Sequence, residues 1–121
     1  MTLVDTSKWI DHLKKTDSSL SKLLQVGQVL SHPFVIGEMA MGSFRNREEL
    51  LHTLSNLQRP AIAKDDEVLH FVSQNKLHGL GIGYIDAHLL ASVQLTRKAR
   101  LWTSDKRLLK AAEALGLAFH S

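Results

Sequence analysis

The sequence predicts an α/β layer fold with a mainly parallel sheet. Three observations lead there: short apolar runs of strand character recur along the chain, stretches with helical spacing of apolar residues separate them, and no linker or internal repeat interrupts the alternation. Strand twist makes the connecting crossovers right-handed. At 121 residues the chain reads as one domain, 1–121, large enough for a real core and too small to divide.

The elements follow in order. Thr2-Leu3-Val4 is a short buried strand, ended by Asp5-Thr6-Ser7, and it feeds a helix from near Lys8 whose inward stripe is Trp9, Ile10 and Leu13. A second helix, Ser18 to Val26, repeats apolar residues at Leu20, Leu23 and Leu24 and stops at Gly27. Val29-Leu30 is the second strand candidate. Pro33 opens a helix from Phe34 to about Ser43, and another from Arg47 to Leu57 carries Leu50, Leu51, Leu54 and Leu57 before Pro60 ends it. Ala61-Ile62-Ala63 reads as a short strand, and Asp65-Asp66-Glu67 starts a helix with Val68, Phe71 and Val72 inward. Gly79, Gly81 and Gly83 mark a loop. A helix from Tyr84 to Thr96, a strand at Arg100-Leu101-Trp102-Thr103, a helix from Asp105 to Leu115 and a last strand at Leu117-Ala118-Phe119 complete the chain.

Composition excludes several classes. Hydrophobic residues at 44% and charged residues at 22% are ordinary globular values. No window approaches the ~20 continuous apolar residues of a membrane span, and Asp5 and Asp11 bracket the first apolar stretch, which is unlike a signal peptide. A cytoplasmic protein without membrane association is the expectation. The absence of cysteine removes disulfides, thiolate zinc sites and cysteine nucleophiles together, leaving oxygen or imidazole for any metal. The net charge of +3 is modest, yet Arg97, Lys98, Arg100, Lys106, Arg107 and Lys110 face only Asp105 and Glu113 across the C-terminal stretch from Ala87. That imbalance fits a polyanionic partner, or else a solvated face that keeps the protein soluble.

Four carboxylates, Asp5, Glu38, Asp86 and Asp105, interrupt apolar or structurally punctuated segments in four separate elements. An unpaired carboxylate among Val, Ile, Met and Leu costs several kcal/mol to bury, on the order of 1–7, so a shared divalent cation would resolve all of them at once. In open parallel sheets a site lies beyond the carboxyl ends of the strands, and Asp5 and Asp105 sit at or just past two such ends. Thr6 and Ser7 can hydrogen-bond the Asp5 oxygens or cap the next helix, and Asp5 alone also reads as a turn or capping residue. Glu38 is the single polar side chain from Phe34 to Gly42, so a helix there offers it no solvent face unless it snorkels at an edge. Asp86 has Leu90 and Val93 at i+4 and i+7, which sets it over an apolar stripe, and it also suits the first turn of a helix. Asp105 between a strand and a helix doubles as an N-cap.

Competing constellations are weaker. The seven histidines show no paired metal-ligand spacing and read mostly as surface residues, with His88 directed away from Asp86. Gly79-Leu80-Gly81-Ile82-Gly83 lacks the Lys and Ser/Thr of a phosphate loop, and no serine sits on a nucleophile elbow.

Four segments then combine: Val4-Asp5-Thr6-Ser7 with Trp9-Ile10, Pro33-Phe34-Val35-Ile36-Gly37-Glu38, Gly83-Tyr84-Ile85-Asp86-Ala87-His88-Leu89-Leu90-Ala91, and Leu101-Trp102-Thr103-Ser104-Asp105. On these the chain resembles the PIN-domain ribonucleases, specifically the VapC toxins of bacterial and archaeal toxin–antitoxin pairs. Ser104 stands where similar toxins frequently carry a basic residue. The resemblance implies a three-layer α/β/α PIN-like domain in which Asp5, Glu38, Asp86 and Asp105 form an acidic cluster supported by the hydroxyls of Thr6 and Thr103. It further implies endonucleolytic cleavage of RNA, inhibition by a tightly bound VapB-type antitoxin, often through an Arg inserted near the acids, and a homodimer.

Carboxylate oxygens without Cys or paired His suit Mg²⁺ or Mn²⁺. The expected mechanism has Asp5 and Asp86 holding the metal, Glu38 and Asp105 completing the cluster directly or through water, and a metal-activated water attacking the phosphorus. Lys106, Arg107 and the Arg97-Lys98-Arg100 group would track the RNA backbone. Two other readings stay open: a PIN nuclease of RNA processing, and a catalytically silent module that binds RNA or captures a basic peptide in its acidic pocket.

Overall fold

A computed structural model describes residues 1–121. The elements are β1 (Thr2–Val4), α1 (Thr6–Lys14), α2 (Ser18–Gln25), β2 (Val29–Leu30), α3 (Pro33–Ala40), α4 (Arg47–Asn56), α5 (Asp65–Gln74), α6 (Tyr84–Leu95), β3 (Arg100–Trp102) and α7 (Lys106–Ala114). The three strands form one parallel sheet in the order β2-β1-β3. Thr2 pairs with Val29 on one side and Arg100 on the other, and Leu3 with Leu30 and Leu101. Thr2, Leu3 and Val4 are all buried, as expected of a central strand covered on both faces.

Single parallel bridges, Leu30 to Gln58 and Leu101 to Ala118, continue the sheet outward on each side. Connections from β1 to β2 and on to Gln58 run one way across the sheet, and those to β3 and on to Ala118 run the other. Right-handed crossovers therefore put α1 to α4 on one face and α5 to α7 on the other, a three-layer α/β/α arrangement. A core of Leu3, Val4, Trp9, Leu30, Leu89, Leu90, Leu101 and Leu108, among others, fills the space between the layers. No helix is long and apolar enough to cross a membrane.

Several sequence expectations need correction. Ala61-Ile62-Ala63 forms no strand: the Ala61 and Ala63 N–H groups donate to Thr96 Oγ1 (2.8 Å) and Ser92 Oγ (3.1 Å), so hydroxyls of α6 take the place of a ladder. Leu117-Ala118-Phe119 is reduced to one bridge, with Leu101 N–H donating to Leu117 O and Phe119 N–H to Leu101 O. Helix α1 starts at Thr6, because Asp5 caps it, and α3 stops at Ala40. Ile10 and Leu13 are not buried with Trp9; they remain 41% and 40% exposed. Gly27 ends α2 in the left-handed conformation, φ +69°, that a helix stop of this kind requires.

Two of the seven histidines, His32 and His88, are buried instead of lying on the surface. His32 caps α3: its Nδ1 accepts from Phe34 N–H (3.0 Å), which requires a bare lone pair, and its Nε2 lies 3.2 Å from Ser92 Oγ. Burial first, then the nearby His88 and Arg59, pulls its pKa down to about 4. The unfolded chain thus binds a proton at His32 below about pH 6.5, whereas the folded chain refuses it until about pH 4. Stability from this group is complete above pH 6.5 and drains as pH falls toward 4, by on the order of 3 kcal/mol. Urea unfolding across this range should show the loss, and His32→Asn, which caps a helix but cannot titrate, should flatten the slope.

Candidate functional site

The site begins at the end of β1. Asp5 is the N-cap of α1 and is only 5% exposed. Its Oδ1 accepts from Ser7 Oγ (2.6 Å) and Lys8 N–H (3.2 Å), and its Oδ2 from Thr103 Oγ1 (2.8 Å). Thr103 follows β3 directly, and the strand pairing that draws Asp5 N–H to Trp102 O brings the two together. The same hydroxyl accepts from Asp105 N–H (3.0 Å), and Ser7 Oγ accepts from Ser104 N–H (3.0 Å). One polar knot thereby ties the carboxyl ends of β1 and β3.

Around it stand the other three acids. Glu38 on α3 is exposed, not enclosed, and its Oε1 accepts from Thr6 Oγ1 (2.7 Å). Thr6 thus serves Glu38, while Ser7 serves Asp5. Asp86 is half-buried in the first turn of α6, where Oδ2 accepts from Gly83 N–H (3.1 Å), with Leu90 and Val93 fully buried beneath it. The helix-start and apolar-stripe readings of Asp86 both hold. Asp105 caps α7 through Oδ1, which accepts from Leu108 N–H (3.0 Å).

Electrostatics shows that these side chains share one region. Burial pushes the Asp5 carboxyl above its usual range, against the lowering pull of Ser7, Thr103 and Lys8 N–H, and the negative charge of Asp86 adds to the rise. Asp86 is likewise raised, first by burial and then by repulsion from Asp105 and Glu38, with the Gly83 N–H acting the other way. Asp86 is therefore within electrostatic reach of three acids from separate elements.

No three acidic or histidine side chains close around a single ion position in this structure. The donor chemistry nevertheless fits a hard divalent cation. Glu38 Oε2, Asp86 Oδ1 and Asp105 Oδ2 accept no hydrogen bond from the protein, whereas the opposite oxygen of each is pinned. A cation held by these acids would offset the repulsion that adds to burial in raising Asp86.

The basic residues divide into two groups. Lys106 and Arg107 open α7 beside Asp105 and are exposed. Arg97, Lys98 and Arg100 lie at the other end of α6 and at the start of β3, the sheet edge opposite the acids. Twelve residues of helix separate those ends, about 18 Å. Lys106 and Arg107 thus stand beside the acids, and the other three stand toward the far end of α6.

Sequence reasoning missed three features. Lys8 pairs with Asp17 (2.7 Å) and lies 4.6 Å from the centre of the Trp102 ring, closing one flank of the knot. Buried His88 meets Asp65 (3.1 Å), which had looked like a helix-start acid only. An apolar groove of about 400 Å³ runs between α1 and α3 beside Glu38, lined by Ile10, Leu13, Met39 and Phe44. Helical spacing put Ile10 and Leu13 on an apolar face, but nothing in the sequence marked that face as an open groove.

No family model matches the chain. It is 47% identical over 118 residues to Ribonuclease VapC32 of Mycobacterium tuberculosis, from strains CDC 1551 / Oshkosh and ATCC 25618 / H37Rv, covering 98% of this chain and 95% of each relative. The crystal structure of PAE2754 from Pyrobaculum aerophilum shares the fold at a TM-score of 0.59 and 16% identity, covering 93% of this chain and 79% of that one.

Asp86 holds its proton to higher pH in the folded chain than in the unfolded one, so folding is favoured as pH falls through that window and the ionised carboxylate is a net cost above it. Asp86→Asn should accordingly raise the thermal midpoint at pH 7, and the gain should shrink as both proteins are melted at progressively lower pH. Thr103→Val strips a partner from both Asp5 Oδ2 and Asp105 N–H and should cost about 1–3 kcal/mol in a urea titration.

Proposed function

The chain belongs to the VapC ribonuclease family, and from that premise we propose that it is an endoribonuclease, hydrolysing RNA phosphodiester bonds as the toxin of a toxin–antitoxin pair. One observation supports the placement of the chemistry: Asp86 is repelled by Asp105 and Glu38 and itself acts on Asp5, at the carboxyl edge of the sheet. Asp5 and Asp86 would hold Mg²⁺ or Mn²⁺, with Glu38 and Asp105 completing the set directly or through water. When bound, the cation supplies Lewis-acid stabilisation of the charge that develops at the phosphate.

The chain's own residues do the rest. Thr103 and Ser7 fix the direction of the Asp5 carboxylate, and Thr6 fixes that of Glu38, before substrate arrives. Lys106 and Arg107 draw the RNA backbone toward the acids, while Arg97, Lys98 and Arg100 act only through the general field of the opposite edge. The groove between α1 and α3 offers a VapB-type antitoxin an apolar surface that adjoins Glu38. A second copy of the chain is the expected companion in a homodimer.

Purified protein, free of antitoxin, incubated with total cellular RNA and Mg²⁺ or Mn²⁺ should produce discrete new RNA ends. These should disappear in EDTA, and with Asp5→Asn the rate should fall by more than about 100-fold while the fold stays intact. Well-folded, metal-loaded protein that cuts nothing would overturn the reading in favour of a silent binding module. Thr6→Val, which frees Glu38 without removing an acid, should slow cleavage by about 10- to 100-fold in the same assay.

A further inference from the structure

The glycine run before α6 forms no phosphate loop, and only its last member, through the Gly83 N–H, serves the acidic cluster. Gly81 answers to a different neighbour. Its φ of +81° is a conformation that suits glycine, and a Cβ placed on it would lie 2.7 Å from Arg107 Nη1 and 2.8 Å from Arg107 Cδ. The Arg107 side chain therefore lies across the bare face of Gly81, and any larger residue would displace it.

The position of this contact matters. Arg107 is the second residue of α7, two beyond Asp105, and Gly81 precedes Asp86 by five residues. The guanidinium thus spans the two segments that carry these acids. Despite that, it forms no ion pair: the salt bridges of the protein are Lys8 with Asp17, Arg47 with Glu48, His88 with Asp65 and His120 with Glu113. Arg47 also spends its guanidinium on Ala40 O. Arg107 lies against Gly81 with its hydrogen-bond donors uncommitted.

We propose that Gly81 is a positioning residue that seats Arg107 for bidentate capture of an RNA phosphate beside the acidic cluster. The choice of RNA as ligand rests on the nuclease reading; the seat rests on the Gly81–Arg107 contact itself. A planar fork already oriented by packing loses less freedom on binding phosphate than a free side chain does, which is the use of the missing Cβ.

A double-mutant cycle tests this. Fluorescein-labelled single-stranded RNA of mixed sequence is titrated by anisotropy in EDTA, across a salt series, with wild type, Arg107→Ala, Gly81→Ala and the double variant; circular dichroism melts verify folding. Arg107→Ala should weaken binding about tenfold and lower the log–log salt slope by about 0.7. Gly81→Ala should reproduce most of both changes, and the double variant should bind no worse than Arg107→Ala alone. Backbone strain at Gly81 would instead lower the melting temperature, leave the salt slope unchanged and multiply with the Arg107 loss, and that pattern overturns the proposal. Wild-type affinity in either single variant overturns it as well. Because binding is read without turnover, coupling without any cleavage of RNA in the metal assay would reject the nuclease and keep the seat, and cleavage without coupling would reject the seat alone.

Discussion

The hydrogen bond from Thr103 to Asp5 joins residues 98 positions apart, and the candidate site is arranged around it. It can form only because β1 and β3 are parallel neighbours in register, so that both strands deliver their next residue to the same edge. Burying Asp5 is unfavourable in itself, since desolvation outweighs its three donors in setting the direction of its pKa. The knot of Ser7, Thr103, Ser104 N–H and Asp105 N–H limits that cost and simultaneously caps the approach to α7. Site and scaffold are consequently one network: the bonds that orient a carboxylate also close the sheet.

How much of this could be read beforehand depended on whether the cause was local. The strand at Thr2–Val4 was legible because burial on both faces leaves a continuous apolar run, and the helix from Tyr84 because its middle, Ala87 to Val93, is mostly apolar and buried. The capping roles of Asp5 and Asp105 were legible because a side chain and an N–H three residues on suffice. Ala61-Ile62-Ala63 failed as a strand because its partners, Ser92 and Thr96, sit some thirty positions away on a helix. Ile10 and Leu13 have helical spacing, but periodicity identifies a face and not what covers it. Glu38 had seemed to lack a solvent face in an apolar helix, yet α3 is only eight residues long and leaves Phe34, Gly37 and Glu38 exposed.

Charge gave a similar lesson in space. Six basic residues gathered over the last part of the sequence suggested one cationic surface, but a parallel sheet sends the two ends of each helix to opposite edges. Lys106 and Arg107 therefore stand with the acids, and Arg97, Lys98 and Arg100 stand away from them. The acids behave in the converse manner. They are far apart in sequence and electrostatically coupled in the fold, since each enters either at the carboxyl end of a strand or within the first two turns of a helix.

That distribution along the chain has a temporal consequence. A ribosome delivers Asp5 first, Glu38 and Asp86 later, and Thr103 and Asp105 only after β3, just before α7. Until β3 emerges and docks beside β1, Asp5 lacks Thr103, and Asp86 lacks the repulsion and companionship of Asp105. A partly synthesised chain thus carries most of the acids without the full cluster, because parallel pairing of β1 with β3 waits for a distant segment. The order in which the acidic cluster is assembled is then a property of topology.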